Sequence, residues 1–153
     1  MPQYYAVLDT NVLVSAMLKE HSVPGTILRL CAKGLLVPVY GEKMLQEYSE
    51  VLARPKFHFP QSTISKITAV ILQKGLKIKH VSQSWSLPDA SDAVFFEVVM
   101  EHRKSERNSY LVTGNVRHFP IKPFVVTPRE MLLIVVNDLL HEHWLVHFLH
   151  RVG

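Results

Sequence analysis

Short apolar runs alternate with longer stretches of helical periodicity along nearly the whole chain. The runs are Tyr4–Leu8, Leu35–Val39, Leu76–Val81, Tyr110–Thr113 and Phe124–Val126. They read as strands, and the segments between them repeat apolar side chains every three or four residues. Val12–Leu18 is a short helix, and Pro24 suits the first turn of a second that ends near Ala32 and Gly34. Met44, Leu45, Tyr48, Val51 and Leu52 mark a third, ended by Arg54-Pro55. Ile64, Ile67, Val70 and Ile71 mark a fourth, closed by Gly75. Val94, Phe95, Val98 and Val99 form the buried face of a fifth, capped by Ser91 or Asp92 and running to about His102. Thr127-Pro128-Arg129-Glu130 opens the last, with cap, first-turn proline and N3 acid in order. Strands that alternate with helices pair in parallel and are covered on both faces. The expected fold is therefore α/β, with a parallel sheet of four or five strands.

Composition narrows the setting. A chain of 153 residues suits one domain and buries a core without staples. With 48% hydrophobic and 20% charged residues it is not a disordered polymer. The single cysteine, Cys31, has no partner for an internal bridge and sits in an apolar run, so it reads as a core residue in a reducing, cytoplasmic setting. No basic region followed by an apolar stretch and cleavage site stands at the N-terminus, so no secretory leader is expected. The run Met131–Val136, broken by Asn137 and Asp138, is too short to span a bilayer, and no membrane partner is expected. A net charge of +4 tolerates a polyanionic partner without requiring one.

Parallel sheets bind ligands beyond the carboxyl ends of their strands. Asp9 follows the first run, and Asn115 follows the fourth through Thr113-Gly114. Glu47 lies on the helix after the second, and Asp89 and Asp92 stand three apart at the mouth of the fifth helix. Each has an ordinary use: Asp9 and Asp92 as helix caps, Asp89 and Asn115 as turn residues, Glu47 as a solvated acid. Their joint placement is what points to a shared cleft. Clustered carboxylates repel and call for a counter-charge. Hard oxygen donors suit Mg²⁺ or Mn²⁺, which activate water and stabilise charge developing on a phosphodiester.

Four segments also carry a resemblance. They are Val7-Leu8-Asp9-Thr10-Asn11-Val12-Leu13-Val14-Ser15-Ala16, Leu45-Gln46-Glu47-Tyr48, Asp89-Ala90-Ser91-Asp92-Ala93-Val94-Phe95-Phe96-Glu97 and Leu111-Val112-Thr113-Gly114-Asn115. In this order they resemble the PIN-domain family. Together with Asn115-Val116-Arg117-His118-Phe119-Pro120 and Thr127-Pro128-Arg129-Glu130, they most resemble its VapC-like branch of toxin components of toxin–antitoxin pairs. The resemblance implies a three-layer α/β/α Rossmann-like fold and Mg²⁺- or Mn²⁺-dependent RNA cleavage. Asp9, Glu47 and Asp92 match the family's acidic metal ligands. Asn115 stands where many relatives have a further Asp, and Asp89 matches the first acid of the Asp-rich turn. Thr113 and Asn11 match polar positions that line or brace the site. Two departures, neutral Asn115 and Ala93 in place of a frequent acid, weaken any second ion.

Outside this set, Arg117 and His118 are candidates to flank the cleft and meet substrate, while Lys77, Lys79, His80, Lys56 and His58 suit a solvated basic face. His141, His143, His147 and His150 lack a zinc-protease pattern, since Leu145 stands where the second histidine is needed. The nuclease-like region is expected over 1–136, with an amphipathic helical extension over 137–153. Its face of Leu139, Leu140, Trp144, Leu145, Phe148 and Leu149 suits packing on the chain's own sheet, a homodimer, or an antitoxin segment. Two rivals to a ribonuclease remain open. One is a phosphatase with Asp9 as nucleophile, against which Asn11 replaces the second Asp such enzymes usually need. The other is a catalytically weak RNA- or partner-binding module.

Overall fold

A computed structural model describes residues 2–152, with the side chains of 142–149 and 152 left aside. The strands are β1 (Tyr5–Leu8), β2 (Val37–Tyr40), β3 (Leu76–Lys77), β4 (Ser109–Val112) and β5 (Val125–Val126). The helices are α1 (Thr10–Leu18), α2 (Val23–Ala32), α3 (Glu42–Leu52), α4 (Gln61–Lys74), α5 (Ala90–His102) and α6 (Pro128–Val152). The five strands form one parallel sheet in the order β3-β2-β1-β4-β5. This is the α/β fold expected from the alternation, with the sheet flanked by helices in a three-layer α/β/α arrangement.

The central strands are short and apolar because both faces are covered. Ala6, Val7, Leu8, Leu111 and Val112 are essentially inaccessible, and Leu13, Ile27, Met44, Leu52, Phe95, Phe96 and Met131 pack around them. Cys31 is part of this core, as its apolar neighbours implied. Burial pushes its thiol pKa up to about 12, so it is inert as a nucleophile.

Two details differ from the sequence reading. The third strand was expected over Leu76–Val81, but β3 is only Leu76–Lys77. Both residues are exposed at the sheet's edge, and after the Ile78 N–H meets the Tyr40 carbonyl at 2.7 Å the chain leaves the sheet. Nothing buries the Lys79–His80 stretch, so no apolar face holds it in register. The fifth helix was expected to be capped by Ser91 or Asp92, yet Asp89 is the cap: its carboxylate accepts from the Ser91 N–H (2.9 Å) and Ser91 Oγ (2.7 Å). That leaves Asp92 inside the first turn, pointing elsewhere.

α6 runs through Val136 and Asn137 without a break. The Tyr4 hydroxyl donates to Asp138, tying the helix to the entry of β1. The His143–His147 pair and the apolar face expected from Trp144, Leu145, Phe148 and Leu149 lie outside the described side chains. Among the described residues no helix is long and apolar enough to cross a membrane.

Candidate active site

The strand order fixes where a site belongs. The chain leaves β1 toward β2 and β3 on one side, then returns across the sheet to β4 and β5 on the other. The loops after β1 and β4 therefore diverge, and a crevice opens between their carboxyl ends. Asp9 stands at the first of these ends and Thr113 at the second, and the Asp9 N–H bonds the Val112 carbonyl across the gap at 2.9 Å.

Asp9 holds the cap position of α1 but makes no side-chain capping bond. Instead Oδ2 accepts from Thr113 Oγ1 at 2.7 Å and from Asn11 Nδ2 at 3.0 Å. Asn11 Oδ1 in turn accepts from the Gly114 N–H at 3.2 Å, and Thr113 Oγ1 from the Asn115 N–H at 3.0 Å. The two loops are thus laced together through one carboxylate, whose orientation is set before any ligand arrives. Burial raises the Asp9 pKa, and the Thr113 hydrogen bond, the backbone near Asn11 and Thr10, and the charge of His118 oppose that rise.

Asp92 approaches from α5. It is nearly buried, and its Oδ2 accepts no hydrogen bond. His118 Nδ1, in the short 3-10 turn Val116–His118, stands 3.5 Å from that oxygen. Burial first, then repulsion from Asp9 and Asp89, push the Asp92 pKa up to about 6. Glu47 comes from α3, where the Tyr48 hydroxyl donates to the Leu8 carbonyl and pins the helix to the end of β1. Its pKa is raised by burial and by Glu50, Asp89 and Asp9, against the opposing charge of Arg54. Asp89 is exposed, and its bonds to Ser91 hold its pKa down.

The structure therefore brings Asp9, Asp92, Glu47 and Asp89 within electrostatic reach of one another, with Thr113 and Asn11 as braces. Asn115 sits at the mouth, exposed, contributing its backbone N–H to Thr113. Arg117 is exposed, and among the described residues it forms no ion pair with the cluster; His118, its neighbour, does that instead. The sequence signal for His118 was only its nearness to Asn115. Tyr48 was legible only as a core residue, because a hydroxyl's partner across the fold leaves no mark on local spacing.

Two buried carboxylates with two further acids near them, and an Asp92 oxygen that accepts no hydrogen bond, fit a hard divalent cation. Among the described residues no group of three or more His, Cys, Asp or Glu side chains is placed to hold a metal ion. Mg²⁺ does not need one: it binds through one or two carboxylates and keeps several waters for exchange with phosphate.

The family model described as PIN domain matches residues 5–117, a stretch that includes every acid of the cluster. No curated protein and no solved structure matches the chain.

Proposed function

The chain belongs to the PIN-domain family, a family of nuclease type, and on that premise we propose that it is a Mg²⁺- or Mn²⁺-dependent endoribonuclease. The observation that carries this reading is the pair Asp9 and Asp92, two nearly buried carboxylates at the crevice between β1 and β4, one with an oxygen that accepts no hydrogen bond. Asp9, Glu47 and Asp92 would hold the ion, with Asp89 and Asn115 completing its surroundings directly or through water. When bound, the ion supplies Lewis acidity that activates water and neutralises charge on the phosphodiester. Thr113 and Asn11 keep the Asp9 carboxylate aimed into the crevice. His118 stands on the open side of Asp92, where it meets a substrate phosphate as it enters.

The resemblance over Asn115–Pro120 and Thr127–Glu130 supports a toxin of a toxin–antitoxin pair acting in the cytoplasm. In that reading 1–136 carry the nuclease, and the extension over 137–153 is the part left for an antitoxin or a second copy. The phosphatase reading is disfavoured by Asn11, whose amide is committed to Asp9 on one side and the Gly114 N–H on the other. Neutral Asn115 and the open ligand set favour, as the second reading, a weakly catalytic RNA-binding module.

Metal removal separates these. A labelled single-stranded RNA is expected to be cut in millimolar Mg²⁺ or Mn²⁺ and left whole in EDTA, with a small phosphomonoester untouched. Cleavage that persists in EDTA, or turnover of the monoester alone, contradicts the proposal. RNA binding with neither metal binding nor cleavage supports the weak module. For the toxin role, induced expression should arrest growth, and growth at the normal rate would remove it.

A further inference from the structure

A recess of about 470 Å³ opens between α3, α5 and the chain that leads into α5. Lys43 on α3 and Ala93 and Glu97 on α5 form two of its walls, and Ser84, Trp85 and Ser86 of the connection from β3 to α5 form another. Both helices also carry an acid of the cluster. Glu47 lies one turn beyond Lys43, and Asp92 immediately precedes Ala93.

Trp85 is held in place. Its ring and that of Phe96 meet in a T-shaped pair with centroids 5.1 Å apart, and its backbone N–H donates to Glu97 Oε1 at 3.1 Å. Farther back, Ser82 Oγ donates to Glu101 Oε2 at 2.8 Å, which also pairs with Lys104 at 2.8 Å. The connection is thereby strapped along α5. Lys43 is exposed and forms no salt bridge among the described residues.

We propose that this recess binds an unpaired nucleotide of the RNA flanking the cleaved bond, its base against Trp85 and its phosphate against Lys43. This rests on the ribonuclease reading and deepens it. A fixed aromatic ring offers a stacking surface that every base can use, and unpaired bases are the ones free to reach it. The acid cluster repels phosphates, so a free cation at its border decides where the backbone passes. In a duplex the bases are stacked on each other and cannot enter, so the recess selects single-stranded RNA.

The test is binding in EDTA, which needs no cleavage. A short fluorescein-labelled single-stranded RNA of mixed sequence, and the same RNA annealed to its complement, are titrated by anisotropy. Trp85→Ala should weaken single-strand binding by about tenfold, the scale of one lost stacking contact, with Trp85→Phe close to wild type. Lys43→Gln should weaken it too and lower the slope of log affinity against log salt by about one phosphate contact. Duplex binding should be weaker and indifferent to Trp85. Equal binding by wild type and Trp85→Ala, no binding by either, or equal losses on single strand and duplex overturns the proposal. Should circular dichroism find Trp85→Ala unfolded, Lys43→Gln decides, an unchanged salt slope being the contrary result. Mg²⁺-dependent cleavage with binding indifferent to Trp85 counts against this proposal alone. Trp85-dependent binding without cleavage counts against the nuclease reading alone.

Discussion

The surroundings of Asp92 resist its ionisation. Its pKa rises from the ordinary 3.8 to about 6 because burial and the charges of Asp9 and Asp89 outweigh the pull of His118. Between those two values the folded protein binds a proton that the unfolded chain releases. Asp92's contribution to the stability of the metal-free protein is therefore fully present below pH 4 and is lost as pH rises through about 6. Thermal melts across this window should show a falling Tm in EDTA and a flatter profile in Mg²⁺, since a cation favours the charged form. Asp92→Asn should flatten the EDTA profile and raise Tm above pH 6 while weakening metal binding. An unchanged profile would mean that Asp92 is not the group under strain. How much of this was legible residue by residue is uneven. Asp9, Asp89 and Asp92 stood out because each follows a strand or opens a helix, whereas Glu47 lies in the middle of α3. Whether Asp9 served as a cap could not be read, since the choice lies in its bond to Thr113, 104 positions away in sequence. His118 carried a weak signal because a three-residue turn has no periodicity to announce it.

At the scale of elements, helix existence was readable and strand extent was not. Helices over Glu42–Leu52 and Ala90–His102 agree closely with the apolar spacing, because one face of each is pressed on the sheet. The edge strand failed the same reading: the alternation of Leu76–Val81 promised more than the two residues that pair. Two glycines fix how helices meet their neighbours. At Gly75 an added Cβ would lie 2.2 Å from the Ile71 carbonyl oxygen and 2.7 Å from that of Pro38, so the end of α4 sits tightly against β2. At Gly25 it would lie 1.9 Å from the Glu20 carbonyl oxygen, where α2 folds back on the end of α1. Backbone cannot give way as a flexible side chain does. Gly75→Ala is expected to lower stability by about 1–3 kcal/mol or more, measurable by urea denaturation. A loss within experimental error would mean that the α4–β2 junction is looser than described.

For the whole molecule, strand order is the step that turns scattered acids into one site. The sequence implied a parallel sheet but not the order β3-β2-β1-β4-β5, because pairing partners are chosen by packing across the fold. That order puts the carboxyl ends of β1 and β4 side by side, and in the proposed site α3 and α5 supply Glu47 and Asp92 beside them. The PIN-domain match over residues 5–117 covers this assembly, and α6 begins beyond it. Since the ion would bind only the folded arrangement, Mg²⁺ should raise Tm, more so at pH 8 than at pH 5. The most direct measurement is RNA cleavage by Asp9→Asn beside wild type over a Mg²⁺ titration, with melts to establish that the variant is folded. The account predicts a folded Asp9→Asn protein that leaves RNA intact at every Mg²⁺ concentration at which the wild type cuts it. Cleavage at the wild-type rate by that variant would contradict it.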